Sequence, residues 1–287
     1  MALFHQFVYK KFGILPFDSP AGKLVDHEEY NSYIKILFLK KGSQLTVDFS
    51  SYKLQQDALV FINVNQWYEI NPQYASSGSL IYYNRDFYCV EIHDKEVSCN
   101  GILYNNVFEI PIVHLSKEQS AQAQQILHEI VQEAKNDEPA MEEMLRILLK
   151  KLIIISTRIW KKSHAIVSAE DRLDIEFLRK FSRLVELHFK SLHTVADYAN
   201  LLSLSPKILH KRITKNGTAT PNELIKERII LEAKRLLAHT ALSVKEIGYA
   251  LGYEDPAYFV RLFTRQAATS PTDFRKQYKV QNGEKVQ

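Results

Sequence analysis

SVKEIGYALGYEDPAYFVRLF, residues 243–263, repeats in outline the stretch TVADYANLLSLSPKILHKRI at residues 194–213. Thr194 and Val195 match Ser243 and Val244, Asp197 matches Glu246, and Leu202 matches Leu251. After the turn, Ser205-Pro206 matches Asp255-Pro256, Leu209 matches Phe259, Lys211 matches Arg261, Ile213 matches Phe263 and Lys215 matches Arg265, with one extra residue in the second turn. A cap, a short helix, a turn and a second helix, occurring twice, predict a duplicated helix-turn-helix.

The helix starts agree. A Ser, Thr or Asp side chain accepts from the free N–H groups of a first helical turn, and proline at the next position loses nothing there. Ser205-Pro206, Thr220-Pro221, Asp255-Pro256 and Ser270-Pro271 all have this form. Reciprocal capping boxes are expected at Thr194 with Asp197, Thr220 with Glu223, Ser243 with Glu246 and Ser270 with Asp273.

These residues resemble the C-terminal DNA-binding domain of AraC-type (AraC/XylS) transcription regulators. The likeness covers the last third of the chain and rests on residues 228–237 (RIILEAKRLL), 243–263 and 270–275 (SPTDFR). Ile247, Leu251, Gly252, Asp255, Tyr258, Phe259, Phe263, Pro271 and Arg275 fall where that family's pattern wants them. Thr218 and Ala268 stand where the family usually closes a helix with glycine, which implies about 1 kcal/mol of local strain. Tyr253 replaces a more usual Phe, and Gly248 a more usual Ala, which weakens its helix.

With 287 residues and 46% hydrophobic content, two packed domains are expected. Residues 1–170 carry 17 Lys and Arg against 20 Asp and Glu, whereas residues 171–287 carry 20 against 13. A basic C-terminal half suits a polyanion, with salt-sensitive phosphate contacts. The longest apolar run, residues 152–155, is too short to cross a bilayer, and residues 1–13 lack the form of a secretion signal. A cytoplasmic protein with no membrane partner is expected, with Cys89 and Cys99 reduced and too few for a metal site.

Short extended segments at residues 33–39 (YIKILFL), 44–49, 58–63 (ALVFIN) and 80–88 (LIYYNRDFY) predict antiparallel strands in a barrel or sandwich. The resemblance implies a cupin-like β-barrel over residues 1–115 that holds a small effector, making the chain α+β. Tyr82, Tyr83 and Tyr88, with Phe87, are the candidate effector-pocket residues. The histidines of this half, His5, His27, His93 and His114, contain no His-x-His pair, and His93 beside Glu91 is the nearest approach to a metal set. No nucleophile and base are paired in the sequence. No cofactor, metal or enzymatic activity is therefore expected. The alternative reading, a cupin-type enzyme or ligand carrier tethered to DNA, would show itself by tightly bound metal or turnover.

From Ser116 the periodicity turns helical, with a capping box to Gln119 and Ala123, Ile126, Leu127, Ile130 and Val131 on one face. Pro139 is expected to open a second helix whose apolar face runs Met141, Met144, Leu145, Leu148, Leu149, Leu152, Ile153 and Ile155. By the family likeness, residues 116–165 form the dimer contact, so a charge at Leu145 or Leu149 is expected to separate a homodimer. Residues 161–167 (KKSHAIV) read as the linker to a DNA-binding domain at 166–287, opened by a helix at 171–189.

In a helix-turn-helix the second helix lies in the major groove, with its early outward residues on base edges. The expected base contacts are Lys207, His210 and Lys211 in the first unit and Ala257, Val260 and Arg261 in the second. Arg212, Lys215 and Arg265 suit phosphates. Residues 221–238 between the units predict one helix of about 18 residues, roughly 27 Å long, which holds the two reading helices about one DNA turn apart. A transcription regulator is implied, activator or repressor, with double-stranded promoter DNA, RNA polymerase, a small-molecule effector and a second copy of the chain as partners.

Overall fold

The computed structural model describes residues 2–18, 30–64, 66–71, 77–88, 103, 110–136, 138–163, 169–215 and 220–281. Cys89, Cys99, His27, Glu91, His93, Thr218 and residues 164–168 of the expected linker lie outside them. The chain divides into two compact units, Met1–Leu173 and Asp174–Gln287.

The first unit holds β1 (Leu3–Phe7), β2 (Lys10–Phe17), β3 (Ile34–Leu39), β4 (Gln44–Val47), β5 (Ser50–Lys53), β6 (Ala58–Ile62), β7 (Tyr68–Ile70), β8 (Gly78–Tyr83) and β9 (Ile112–His114). Among the described residues these strands make two antiparallel sheets, ordered β1-β2-β8-β3-β6-β9 and β5-β4-β7, and do not close into one barrel. The strand expected at 80–88 ends at Tyr83, because Asn84 turns the chain there. The Asn84 side-chain oxygen accepts from the amides of Lys11 at 2.9 Å and Phe87 at 3.1 Å.

Successive strand side chains point to opposite faces. Along β3, Ile34, Ile36 and Phe38 join one apolar layer while Leu37 and Leu39 join the other, which is why this strand reads as an unbroken hydrophobic run. The layer between the two sheets contains Leu45, Val47, Val60, Tyr68 and Leu80. The opposite face of the larger sheet is covered by α1 (Lys117–Asn136) and α2 (Met141–Ser163), through Ile126, Ile130, Leu145, Leu149 and Leu152. The Ser116 box forms: its amide donates to the Gln119 side chain at 2.8 Å, and its hydroxyl accepts from the Gln119 amide at 3.3 Å.

Three expectations change here. Ala140 takes the left-handed conformation at φ 67°, so Pro139 precedes the second helix instead of opening it. Leu145 and Leu149 are both 0% exposed and sit in the core of their own unit, not on a surface free to receive a partner, whereas Met144 and Ile147 are 44% and 50% exposed. Tyr82 and Tyr83, being consecutive in β8, fall on opposite faces: Tyr83 joins the layer under the helices with Tyr88, and Tyr82 the layer between the sheets. The three tyrosines therefore do not line one pocket, and each is at least 96% buried in packing.

The second unit is helical: α3 (Ala169–His188), α4 (Val195–Leu201), α5 (Pro206–Thr214), α6 (Pro221–His239), α7 (Val244–Ala250), α8 (Pro256–Ala267) and α9 (Pro271–Gln281). One apolar core runs through all of them, with Phe181, Tyr198, Leu209, Ile229, Ile247, Phe259 and Phe263 at its centre. Among the described residues no helix is long and apolar enough to cross a membrane, and no group of three or more His, Cys, Asp or Glu is placed to hold a metal ion.

Candidate nucleic-acid interface

Each half of the repeat is set by its caps. The Thr194, Thr220 and Ser243 boxes are complete: each hydroxyl accepts from the amide three residues on, and the acidic side chain there accepts from the cap amide. Donation from the cap hydroxyl, the larger cause at Asp197 and Glu246, and from the cap amide, the larger cause at Glu223, holds these carboxyls below their ordinary values. At Ser270 the Asp273 amide donates to the Ser270 hydroxyl at 3.1 Å, and that hydroxyl donates in turn to the Asp273 carboxylate at 2.6 Å. The second helices start on Ser205, which accepts from the Ile208 amide, and Asp255, which accepts from the Ala257 amide at 2.8 Å.

The turns differ as the repeat predicted. In the first, Ser203 takes φ 55°, and in the second Gly252 takes φ 80°. A Cβ at Gly252 would stand 1.9 Å from the Lys190 carbonyl oxygen, so only glycine fits. The neighbouring His193 Nε2 lies 2.9 Å from the Leu251 carbonyl oxygen, and the His193 ring stacks on Tyr253 with centroids 4.4 Å apart. The second turn is thereby seated on the loop that leads into α4. Ala268 ends α8 in the left-handed conformation at φ 55°, a place where the sequence lacks the helpful glycine.

Gly248, inside α7, is a different case. A Cβ there would meet the Phe259 side chain at 3.4–3.5 Å, an ordinary contact. Gly248→Ala is expected to stabilise the unit by about 0.5–1 kcal/mol, because alanine loses less backbone entropy in a helix. Urea unfolding followed by helical circular dichroism would show a raised midpoint at unchanged slope; a lowered midpoint would mean that Phe259 cannot accommodate the methyl group.

Helical spacing sorts the residues of α5. Leu209 and Ile213 are 0% and 2% exposed against the core, and Lys207, His210 and Lys211 are exposed on the opposite side. His210 also lies within electrostatic reach of Glu223, whose carboxyl is lowered first by the Thr220 amide and hydroxyl and further by the imidazole. Arg212 is exposed, but its guanidinium lies flat on the Phe177 ring, 3.7 Å from the centroid, so only its N–H edges point to solvent. Lys215 is exposed just past the helix end.

In α8, Phe259, Leu262 and Phe263 are buried and Ala257, Arg261 and Arg265 are exposed. Val260 is only half-exposed and packs partly on the core, which trims the outward face that spacing alone gave it. Arg261 Nη2 lies 3.5 Å from the Asp255 carboxylate, with side chains 68% and 60% exposed. A pair this exposed is worth under about 1 kcal/mol, so a stronger partner can take the arginine. Three exposed residues of α8 lie outside the sequence-derived set: Tyr258, 49% exposed beside Arg261, Thr264 one turn further on, and Gln266. The signal for Thr264 was its spacing of three from Arg261, missed because the helix runs on to Ala267.

α6 joins the two halves. Its 19 residues make a rod of about 28 Å. Arg228 fixes it to α3: Nε and Nη2 donate to Glu186 at 2.5 and 2.9 Å, Nη1 donates to Glu232 at 3.0 Å, and the guanidinium covers Phe189 at 3.9 Å. Burial acts to raise the Glu232 carboxyl, but Arg228 and Arg235 outweigh it and hold it below the ordinary value. Arg275 of α9 donates to the Leu237 and Leu242 carbonyl oxygens, closing the far end of the rod.

Two capped helix-turn-helix units on one rod, each presenting a cationic second helix, define a DNA-binding protein. A family model described as a helix-turn-helix domain matches residues 198–277. The chain is similar to the HTH-type transcriptional activator RhaR of Escherichia coli (strain K12), 24% identical over 253 residues and 86% of each chain. Among solved structures it is similar to the C-terminal domain of the two-component response regulator yesN from Fusobacterium nucleatum, 26% identical, covering 33% of this chain and 93% of that one at a TM-score of 0.32. It is also similar to ToxT from Vibrio cholerae, 15% identical, covering 93% and 97% at a TM-score of 0.44. The match over residues 198–277 and the likeness to RhaR support a DNA-binding transcription regulator of AraC type.

Proposed function

We propose that this regulator reads two successive major-groove segments, one with α5 and one with α8. What carries the reading is the pair of exposed, carboxylate-poor helix faces at the two ends of α6. Lys207, His210 and Lys211 meet base edges in the first segment. In the second, Arg261 takes a guanine, and Ala257 with the outer methyl of Val260 meets thymine methyls. Lys215, Arg265 and the free edges of Arg212 hold phosphates.

The N-terminal unit then governs this binding, through a small-molecule effector and through pairing of two chains along the exposed flank of α2 at Met144 and Ile147. The protein works on promoter DNA beside RNA polymerase in the cytoplasm and catalyses no reaction. The similar proteins are transcription regulators, which supports the non-enzymatic reading.

Two variants test the groove assignment on the preferred site and on scrambled DNA, at several salt concentrations. Arg261→Ala is expected to lose about 1–3 kcal/mol on the preferred site alone, with its salt dependence nearly unchanged. Lys215→Ala is expected to weaken binding to both DNAs alike and to lower the salt slope by about one unit. Equal loss on both DNAs for Arg261→Ala would make it a phosphate contact and rotate α8 in the groove.

A further inference from the structure

A cleft of about 930 Å³ opens at one edge of the N-terminal unit, where the turn after β3, the segment before β6, the end of β9, the start of α1 and the end of α2 come together. That is the size of a small-molecule site and far more than a bare inorganic ion fills. Its basic side chains come from four separate elements: Lys41, His114, Lys117 and Lys162, all exposed. Among the described residues none of the three lysines has a carboxylate within ion-pair distance.

The one carboxylate in the wall is already committed. Asp57 accepts from the Ser120 hydroxyl at 2.5 Å, the Lys41 amide at 2.8 Å and the Lys40 ammonium at 3.2 Å. Burial pushes its carboxyl up, but these three donors outweigh it and keep the group anionic, with its charge met by Lys40. Glu118, close by, is engaged by the Ser116 hydroxyl at 2.7 Å. The cleft thus gathers like charges from distant parts of the chain around a concave wall, which adds repulsion unless an anion relieves it. Gln55, Gln56 and Ser163 add amide and hydroxyl partners for a hydroxylated body, beside the apolar side chains of Leu115 and Ile159.

We propose that this cleft binds a small organic phosphate with a hydroxylated body, and that this molecule is the effector. The proposal rests on the reading that the N-terminal unit governs DNA binding. Lys162 and Ser163 are the last residues of α2, immediately before residues 164–168, through which the chain passes to the DNA-binding unit. A dianion drawn against Lys41, Lys117 and Lys162 together fixes the end of α2, so occupancy is felt ten residues before the boundary between the units at Leu173.

The test is calorimetric titration of the full chain with glucose 6-phosphate, glycerol 3-phosphate, glucose and citrate, on the parent and on Lys41→Gln, Lys117→Gln, Lys162→Gln and Lys211→Gln. All four positions are exposed, so each variant is expected to fold. Expected is binding of the phosphate esters, weakened about tenfold by each cleft substitution and unaffected by Lys211→Gln, with glucose bound far more weakly. Loss with Lys211→Gln alone would place phosphate on the DNA-reading face and overturn the proposal. So would citrate binding as tightly as the esters with the same lysine dependence, or no ester binding up to about 10 mM. DNA selection by the parent chain is measured separately: its failure would strike the groove reading, whereas the phosphate titration stands on its own result.

Discussion

Leu149→Lys is expected to unfold the N-terminal unit, not to split a dimer into folded monomers. The side chain is 0% exposed, packed between the larger sheet and α1. Losing its contacts costs about 2–5 kcal/mol and burying an unpaired ammonium costs several more, a sum comparable to the whole stability of a domain. Both tryptophans of the chain, Trp67 and Trp160, lie in this unit, so their emission reports on it selectively. A red-shifted emission without a cooperative transition is the expected result. Met144→Lys and Ile147→Lys, on the exposed flank of the same helix, are expected to keep the native emission, and sedimentation of those two variants is the proper test of pairing. A Leu149→Lys protein with native emission and a halved mass would return Leu149 to an interface.

The second large effect belongs to Arg228. Its side chain is 5% exposed and answers Glu232, itself 14% exposed, while Glu186 is 49% exposed and can return to water. Arg228→Ala leaves Glu232 with Arg235 and the weaker influence of Lys190 and uncovers Phe189, so a loss of about 3 kcal/mol is expected, somewhat under the figure for a fully buried pair because of Glu186. The loss should appear in the helical signal on urea unfolding, while tryptophan emission, which reports on the other unit, keeps its own midpoint. Adding Glu232→Gln to Arg228→Met should recover part of the loss, since it removes the stranded charge. A single variant as stable as the parent would show that the network contributes position and no net stability.

These outcomes mark what sequence can and cannot tell. The repeat was legible because helix caps and turn residues act within three or four positions, and Thr194, Ser205, Thr220, Ser243 and Asp255 cap as their types demand. The strands were legible as runs, but which runs pair is decided by contacts distant along the chain, so the spacing left barrel and sandwich open where the described residues make two sheets. Tyr82 and Tyr83 could have been separated from the alternation of a strand alone. Leu145 and Leu149 could not: an apolar helix face looks the same whether it meets its own sheet or another molecule. The Phe177 ring beneath Arg212 belongs to the same class of contact, made across elements and invisible to spacing.

The seating of the second turn on the loop before α4 bears on how such a chain diverges. A tandem duplication begins as two interchangeable copies, and either one is at first dispensable. Here the Lys190 carbonyl stands where any Gly252 side chain would go, and His193 holds Leu251 and Tyr253. The copies have become mutual scaffolding. Neither can be cut away without unseating the other, and a change in the loop before α4 is felt in the turn of the second copy.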